Sequence, residues 1–433
     1  MADKARNAAF QAVSSVLERG FPLDEALEAA FVKDKGLDAR DRAFAMNLAS
    51  VFFRRLGALD LALGQYLKRP LPQKAAWART WLGLGAAQIL FLDVPDHAAV
   101  SETVEAIASA KRPGALIYKG LANAVLRALA KDRAQHLKAV ENETERNLPP
   151  WLWVRWKKFY GVETARAIVR AHLDPPPLDV CLKDEKRIPD GLGGEKIFNG
   201  VLRLRPKGRI EGLPGFREGA WWAQDVAATL PPRLLGRVMG KRVLDLCAAP
   251  GGKTLFLSSC GAHVTALDIS KTRLKLLEEN LKRTSLKAEV VCADVMDYAP
   301  QEKFDGVLLD APCSASGTLR RHPDVAFRRS EADIARLAGL QEKLIARAFS
   351  FVKRGGVLVY CVCSLEPEEG EDIANVFLQE TPAAAPVPVS LGETEGHGEW
   401  ITRGGFLRTL PSHLPEKGGL DGFFAARVIR KTA

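Results

Sequence analysis

The sequence predicts a multidomain chain, in which an all-α bundle is followed by a small α+β subdomain and an α/β domain with a mostly parallel, doubly wound sheet. Three observations predict this order. The first 135 residues show helical periodicity, as at Phe10, Val13 and Leu17, and nothing in them alternates like a strand. Short strand-like runs follow a proline cluster near residue 175, and from about residue 240 strands and helices alternate. A length of 433 residues suits two or three domains.

The front of the chain is predicted to be helical. After the helix that contains Phe10, helices are expected over residues 39–56, 58–67, 74–92, 99–111 and 115–130. An acidic stretch that ends in Pro149-Pro150 predicts a linker, so the first domain is assigned residues 1–140. The small subdomain, residues 150–215, is expected to begin with helices over 152–159 and 163–172.

The last domain, residues 216–433, is expected to contain the parallel sheet. Its strands are predicted over residues 242–247, 263–268, 289–293, 304–310 and 355–362. Its helices are predicted over residues 252–260, 270–283, 331–352 and 369–379. Because residues 404–429 look like strands again, an antiparallel hairpin is expected at the sheet edge.

Cysteine usage and hydropathy predict a cytoplasmic protein without a membrane partner. The seven cysteines are odd in number and most lie in apolar runs, which argues against a disulfide framework. No stretch approaches eighteen consecutive apolar residues, and the N-terminus lacks the apolar centre of a signal peptide. The spacing of Cys361 and Cys363 does not match a zinc site, so no metal is expected.

The charge is uneven along the chain. The formal net charge is +10, and residues 241–433 carry equal numbers of basic and acidic side chains, so the excess lies in the front. A basic front beside a neutral rear suggests that the front binds a polyanion while the rear performs chemistry. A basic, soluble surface without that role explains the charge equally well.

Two cysteine-bearing runs are the most informative feature of the predicted sheet. One is Asp310-Ala311-Pro312-Cys313-Ser314, and the other is Cys361-Val362-Cys363-Ser364. Each follows an apolar run of strand length, and the carboxyl ends of parallel strands meet at one crevice, where ligands bind. Two thiols at neighbouring strand ends suggest a cysteine nucleophile with a thiol helper.

A loop of small residues follows the first strand of this sheet. It consists of Cys247, Ala248, Ala249, Pro250, Gly251, Gly252 and Lys253. Small residues let the backbone approach a ligand, and the helix that follows offers free N–H groups. The dinucleotide signature G-x-G-x-x-G is absent. A P-loop requires glycine where Cys247 stands, although Gly252-Lys253-Thr254 fits its end.

S-adenosylmethionine is the third candidate ligand for this loop. It requires an acidic residue at the end of the second strand, for the ribose hydroxyls, and another at the end of the third, beside the adenine. Asp268 and Asp294 stand at those positions. Either acid alone could be a helix cap. Their combination with the loop favours the methyl donor over the P-loop.

These motifs together resemble the RNA cytosine-C5 methyltransferases of the NOL1/NOP2/Sun group. The matching runs are residues 244–254, 310–314 with 320–324, 363–369, and 215–219 with Gln224-Asp225. The helical front resembles the NusB RNA-binding fold at Arg42-Ala43, Leu59-Asp60, Pro95 and residues 123–127. This combination is similar to the bacterial RsmB (Fmu/Sun-type) family, which methylates a cytosine in 16S ribosomal RNA.

The resemblance implies a class I methyltransferase fold and a 16S rRNA (cytosine-C5)-methyltransferase that depends on S-adenosyl-L-methionine. In that family the second cysteine run supplies the nucleophile, so Cys363 is expected to form the covalent adduct with C6 and Cys313 to assist product release. In DNA C5-methyltransferases the Pro-Cys thiol attacks, which would instead point to Cys313. Asp310 is expected between the donor and the base, with Lys253 as a further contact.

The expected partner is small-subunit ribosomal RNA in a single-stranded or unfolded region, because the target base must leave any stack. The expected RNA contacts are Arg203, Arg205, Lys207, Arg209, Arg320, Arg321 and His322. His322 could instead fix a loop. Nothing in the sequence requires more than a monomer.

The chain departs from the family pattern at three positions. Val362 stands where threonine is usual, Ala315 where glycine is common, and Gly370 where asparagine is common. None of these changes removes a bond-making group, so they affect substrate detail more than activity.

Two other functions remain open at this point. A P-loop NTPase would hydrolyse ATP with Lys253 and Mg²⁺. A non-enzymatic NusB-like RNA-binding assembly factor would carry a vestigial rear half.

Overall fold

A computed structural model describes residues 3–67, 69–112, 114–206 and 208–432. The chain forms two compact units. We call them the helical unit, which runs to Asp174 and also contains Arg321–Ser330, and the sheet unit, which contains Pro175–Arg320 and the chain from Glu331 onward. The three-domain division expected from the sequence stays a prediction. Among the described residues, no helix is both long enough and apolar enough to cross a membrane.

The described part of the helical unit up to Asp174 consists of helices joined by loops, as predicted. They are α1 (Lys4–Arg19), α2 (Leu23–Lys33), α3 (Ala39–Arg54), α4 (Leu56–Gly64), α5 (Ala76–Phe91), α6 (Asp96–Ala108), α7 (Ala115–Lys131), α8 (Arg133–Asn142), α9 (Pro150–Tyr160) and α10 (Val162–His172).

Helix α5 lies at the centre of this unit because it is buried on nearly all sides. Its glycines allow neighbouring helices to approach closely. A Cβ atom at Gly83 would come within 2.5 Å of the Phe52 ring, and one at Gly85 within 2.9 Å of the Thr103 hydroxyl. The close packing around α5 therefore depends on the absence of side chains at these two positions.

The remaining elements follow in chain order. They are β1 (Leu178–Leu182), β2 (Glu195–Phe198), β3 (Val201–Leu204), β4 (Trp221–Ala223), α11 (Val226–Arg233), β5 (Arg242–Leu246), α12 (Gly252–Ser259), β6 (His263–Asp268), α13 (Lys271–Thr284), β7 (Glu289–Cys292), β8 (Phe304–Asp310), α14 (Val325–Arg328, in the helical unit), α15 (Glu331–Ser350), β9 (Val352–Val362), α16 (Glu371–Glu380), β10 (Ala384–Pro386), β11 (Leu407–Thr409) and β12 (Phe423–Arg430).

Residues 321–330 pack within the helical unit although they follow β8 in sequence, which the sequence did not predict. The Asp324 carboxylate accepts a hydrogen bond from the backbone N–H of Leu23, at the start of α2, at 3.1 Å. Arg328 donates to the carbonyl of Gly20 at 3.0 Å and to Asp324 at 3.2 Å. A carboxylate at a helix N-terminus satisfies an otherwise free N–H group and complements the helix dipole.

The large sheet confirms the predicted parallel, doubly wound α/β architecture. Its strand order is β10-β12-β9-β8-β5-β6-β7, and β11 pairs with β12. Strands β5 to β9 run parallel to one another. Strand β12 runs antiparallel to β9 and also pairs with β10 and β11, so the predicted antiparallel edge is confirmed.

The small sheet is antiparallel, with the order β2-β3-β1-β4. A buried ion pair lies across it: Arg203 in β3 donates from Nε and Nη2 to both carboxylate oxygens of Asp179 in β1, each at 2.7 Å. Asp179 also accepts from the backbone N–H of Val226 at 3.2 Å, which joins the sheet to the start of α11. This bidentate pair therefore connects the small sheet to the rest of the sheet unit.

Replacing Asp179 with alanine is expected to lower the free energy of unfolding by about 3–5 kcal/mol, because it leaves the Arg203 charge buried without its carboxylate. Urea denaturation followed by tryptophan fluorescence would measure the change, since Trp221 and Trp222 lie in β4. The control is Glu211→Ala, which removes the partner of Arg209, a side chain that is 80% exposed. A loss below about 1 kcal/mol for Asp179→Ala would contradict this account.

Candidate functional site

The site lies at the carboxyl ends of three neighbouring parallel strands, β5, β8 and β9. Pairing of β8 with β9 places Asp310 directly opposite Cys361. The chain continues from these strand ends to Cys313 and Cys363, whose sulfur atoms lie 3.5 Å apart. The structure thus brings together the two thiols that the sequence placed at neighbouring strand ends.

An ion pair between the buried Lys253 and the partly exposed Asp310 lies beside the thiols. The Lys253 ammonium is 2.7 Å from Oδ2 of Asp310, and Cys361 donates to Oδ1 of the same carboxylate at 3.5 Å. Lys253 also lies 5.0 Å from the centre of the Phe423 ring. Burial alone would lower the pKa of Lys253, but the charge of Asp310 outweighs it and raises this pKa. Lys253 is therefore a fixed positive charge within the site.

The loop after β5 adopts a conformation that small residues permit. Cys247 has φ = 59° and Gly251 has φ = 109°. A Cβ atom at Gly251 would come within 2.9 Å of the Leu277 side chain, so only glycine fits there without displacement. Thr254 then donates to the buried carboxylate of Asp245 in β5 at 2.6 Å, which holds helix α12 against the strand.

The two acids expected to bind the methyl donor lie at the same edge of the sheet. Asp268 ends β6 and is 2% exposed; its carboxylate accepts from the backbone N–H of Ala249 at 3.1 Å and from that of Ser270 at 2.8 Å. Asp294 follows β7 and accepts from the N–H of Met296 at 2.8 Å. Asp268 therefore lies at the end of its strand and also holds the loop after β5 in place.

An exposed apolar side chain was missed by the sequence reasoning. Ile269 directly follows Asp268 and is 68% exposed, which is unusual for isoleucine at a strand end. Its position next to an acidic strand end is the only signal in the sequence that could have identified it.

The thiols differ in their environments. Burial raises the pKa values of Cys247 and Cys361 above the ordinary range of a thiol. For Cys313, the hydrogen bond to Cys363 contributes most to raising the pKa, followed by burial. These three groups are therefore held as thiols, which are poor nucleophiles.

A hydroxyl–carboxylate network lies below the thiols, and the sequence reasoning assigned it no role. Ser314 and Ser364 each donate to Glu369, whose side chain is fully buried. The signal in the sequence is the repeated Cys-Ser dipeptide, Cys313-Ser314 and Cys363-Ser364. The partner of the two serines could not be identified from sequence.

Two of the expected phosphate contacts are buried. Arg203 is 4% exposed and paired with Asp179, while Arg320 is fully buried. Arg320 donates to the carbonyl of Gly418 at 3.0 Å and lies 3.7 Å from Asp421. The prediction that Arg203 and Arg320 contact phosphate is therefore wrong, because both guanidinium groups bind partners inside the sheet unit.

The other basic residues on that list remain predictions. Arg205 and Arg209 are exposed on the segment that follows β3. Lys207 lies outside the described residues. In the helical unit, Arg321 is half-buried, and Nδ1 of His322 is 3.3 Å from the Asp24 carboxylate. His322 thus fixes its own loop, while its contact with RNA is untested.

Two of the departures from the family pattern have visible consequences. Ala315 has φ = 61°, a left-handed conformation that glycine adopts without strain, which explains why glycine is common there. A Cβ atom at Gly370 would come within 2.6 Å of the Arg408 guanidinium, so asparagine would not fit without a shift. Val362 is fully buried in β9.

Among the described residues, no group of three or more potential ligands could hold a metal ion.

Comparison with known proteins agrees with this geometry. Residues 233–429 match the family model for 16S rRNA methyltransferase RsmB/F, and residues 3–131 match the NusB family. Ribosomal RNA small subunit methyltransferase B from Citrobacter koseri is 34% identical over 443 residues, which cover 98% of this chain and 99% of the relative.

Two solved structures are also similar. The crystal structure of PH0851 has a TM-score of 0.76 at 23% identity, covers 99% of both chains and supports the fold alone. A methyltransferase homologue from Pyrococcus horikoshii has a TM-score of 0.53 at 27% identity, over 64% of this chain and 93% of its own.

The buried Asp245 is expected to make stability depend on pH. Burial raises the pKa of Asp245 to about 7, from an ordinary value of 3.8. Between these values the folded chain binds more protons than the unfolded chain. The contribution of Asp245 to stability is therefore lost as pH rises from about 4 to about 7, and it is constant above that.

We expect Asp245→Asn to remove this pH-dependent loss. The free energy of unfolding of the variant minus that of the parent chain should therefore be larger at pH 8 than at pH 5. Urea denaturation at four pH values between 5 and 8 would measure it. The exposed Glu211→Gln serves as the control and should keep the parent slope. Parallel pH profiles for Asp245→Asn and the parent chain would contradict the expectation.

Proposed function

Since the chain belongs to the 16S rRNA methyltransferase RsmB/F family with an N-terminal NusB region, we propose that it transfers a methyl group from S-adenosyl-L-methionine to carbon 5 of a cytosine in 16S ribosomal RNA. The family and fold predicted from the sequence are thereby confirmed. The observation that carries the chemical proposal is the pair of thiols, 3.5 Å apart, beside the Lys253–Asp310 ion pair.

The chemistry requires a nucleophile because carbon 5 of cytosine is itself poorly nucleophilic. The Cys363 thiolate forms a bond to C6, which makes C5 an electron-rich, enamine-like carbon. When bound, S-adenosyl-L-methionine supplies an electrophilic methyl group to C5 and leaves as S-adenosylhomocysteine. A base then removes the C5 proton, the C5–C6 double bond re-forms, and the Cys363–C6 bond breaks with return of the thiolate. Dividing one hard step into two easier ones is nucleophilic catalysis.

The assignment of Cys363 as nucleophile is supported by the charges around it. Lys253 and Cys363 interact electrostatically. Cys313 is held as a thiol, so it can donate its hydrogen to the Cys363 sulfur across 3.5 Å. Cys363 is thus suited to attack. Cys313 is suited to donating its hydrogen to the departing Cys363 sulfur during product release.

Asp310 and Lys253 are proposed to orient the reactants. The Asp310 carboxylate is 30% exposed at the strand end, so its free edge is available to the amine of the donor or to the ring edge of cytosine. Lys253 holds that carboxylate in one position. Both residues therefore act by placement and charge, without forming a covalent bond.

The loop after β5 fits a methyl donor. Gly251 lets the loop pack closely against Leu277, and the Asp268 carboxylate lies beside the loop, where ribose hydroxyls would be bound. The exposed side chain of Ile269 offers an apolar surface for the adenine ring, with Asp294 nearby in the next strand connection. Residues 247–253, Asp268, Asp294 and Asp310 are the proposed donor contacts.

The proposed substrate is a single-stranded or unfolded region of 16S ribosomal RNA. A cytosine must leave its stack to reach Cys363, at a cost of a few kcal/mol that is smallest where the base is already unpaired. The exposed Arg205 and Arg209 are suited to the flanking phosphates. We propose that the protein acts in the cytoplasm as a monomer.

The function is tested by incubating the pure chain with radiolabelled donor and unmodified 16S rRNA. Formation of 5-methylcytosine supports the proposal. A P-loop NTPase would instead hydrolyse ATP with Mg²⁺, and an RNA-binding assembly factor would bind the RNA without modifying it. Absence of cytosine methylation on both free rRNA and small-subunit particles would contradict the proposal.

Replacing Cys363 with alanine is expected to abolish both methylation and the covalent protein–RNA adduct, because no thiolate then attacks C6. Denaturing gel electrophoresis of the labelled RNA detects the adduct, and label transfer measures methylation. Cys260→Ala, which removes a thiol distant from the strand ends, is the control and should retain both.

Replacing Cys313 with alanine is expected to let the covalent protein–RNA species accumulate, because the thiol that assists release is missing. The adduct should appear on the same denaturing gel as a slowly migrating band that depends on Cys363. If Cys363→Ala instead accumulates the adduct and Cys313→Ala prevents it, the two roles are assigned in the wrong order.

A further inference from the structure

A carboxylate for which the proposed chemistry has no step lies below the two thiols. Glu369 is fully buried in the loop that follows β9. Its Oε2 accepts hydrogen bonds from the hydroxyls of Ser314 and Ser364, each at 2.5 Å, and its Oε1 accepts from the backbone N–H of Ser314 at 2.8 Å. Burying a carboxylate is costly unless such donors compensate it.

The donors to Glu369 lie next to the reactive residues. Ser314 directly follows Cys313, and Ser364 directly follows Cys363. The two serine hydroxyls are 3.1 Å apart, and both face the same carboxylate oxygen. The Glu369 side chain is therefore one of the groups that join the two cysteine loops, which lie about fifty residues apart in the sequence.

The position of Glu369 is itself fixed from two sides. Gln341 in α15 donates to Oε1 of Glu369 at 3.2 Å and to the carbonyl of Pro312 at 2.8 Å. The hydroxyl of Tyr360 in β9 donates to the backbone carbonyl of Glu369 at 2.5 Å. The carboxylate of Glu369 is therefore held by a helix and both cysteine loops, and its backbone is held by a strand.

The charge of Glu369 acts on one thiol of the pair. It is among the causes that raise the pKa of Cys313, after the hydrogen bond to Cys363 and burial. Lys253 interacts electrostatically with Cys363. A negative charge near Cys313 and a positive charge near Cys363 make two identical side chains chemically unequal.

We propose that Glu369 is the positioning residue that holds the two cysteine loops together and keeps Cys313 a proton donor while Cys363 attacks. This inference rests on the proposed function, since it presupposes unequal roles for the thiols. Glu369 contacts no reacting atom and acts through Ser314 and Ser364. Two variants separate its tasks: Glu369→Gln removes the charge, and Ser364→Ala removes one tether while keeping the charge.

The charge is tested without turnover, in a chain that also carries Cys363→Ala. Alkylation of Cys313 by iodoacetamide is followed against pH by peptide mass spectrometry, which separates it from the exposed Cys292. Adding Glu369→Gln is expected to move the midpoint of the pH dependence of alkylation to lower pH, because the neighbouring negative charge is lost. Adding Glu368→Gln, on the adjacent half-exposed residue, should leave the midpoint in place. An unchanged midpoint in a folded Glu369→Gln chain would overturn the proposal.

The tether is tested by steady-state kinetics of Ser364→Ala in the otherwise unaltered chain. We expect kcat to fall about tenfold or more, with KM for RNA and donor within about twofold, because the thiols are displaced while the binding surfaces are intact. The alkylation midpoint of Cys313 should be unchanged, since Glu369 keeps its charge. Equal kcat values for Ser364→Ala and the parent chain overturn the positioning role, even where Glu369→Gln does not fold.

The failure of this inference can be distinguished from failure of the proposed function. If the unaltered chain forms no adduct through Cys363, the proposed chemistry is wrong. Suppose instead that it forms that adduct, but that Glu369→Gln leaves the alkylation midpoint of Cys313 unchanged and Ser364→Ala leaves kcat unchanged. In that case only the positioning role is wrong.

Discussion

Hydrogen bonding between the parallel strands β8 and β9 fixes the relative positions of nearly every group in the site. It sets Asp310 opposite Cys361, and the chain that leaves each strand then brings Cys313 and Cys363 together at 3.5 Å. A shift of this register by one residue would turn alternate side chains to the opposite face of the sheet. The thiol pair would then be lost together with the contact between Asp310 and Lys253. The site therefore depends on a backbone interaction before it depends on any catalytic side chain.

Within that frame, fixed charges give the two thiols different properties. Lys253 is held by Asp310 and interacts electrostatically with Cys363, whereas Glu369 is among the groups that raise the pKa of Cys313. Each charge is buried and therefore weakly screened, so a small number of groups can bias a proton between two sulfur atoms. A covalent mechanism needs this bias, because two equally ionised thiols would compete for the same carbon.

The sequence was sufficient for features that depend on local pattern. Apolar runs followed by small or polar residues located the strand ends, the loop at residues 247–253 and both thiols. It was insufficient where partners are distant in the chain. The capping of α2 by Asp324 spans 301 residues, and the carboxylate beneath the thiols joins Ser314 to Glu369 across 55. The sequence also predicted too many RNA contacts among the basic residues, because Arg203 is paired with the carboxylate of Asp179, 24 residues earlier in the chain.

Contacts with carboxyl groups also distinguish the loop that ends in Gly252-Lys253-Thr254 from a P-loop. In a P-loop the lysine must be free to bind phosphate oxygens, and the threonine hydroxyl binds Mg²⁺. Here the Lys253 ammonium is 2.7 Å from Asp310, and the Thr254 hydroxyl is directed 2.6 Å to the buried Asp245. A triphosphate would have to displace the carboxyl groups of Asp310 and Asp245 from these two side chains. Both residues that give the loop its resemblance to a P-loop instead fasten helix α12 to the strand ends, through Asp310 in β8 and Asp245 in β5.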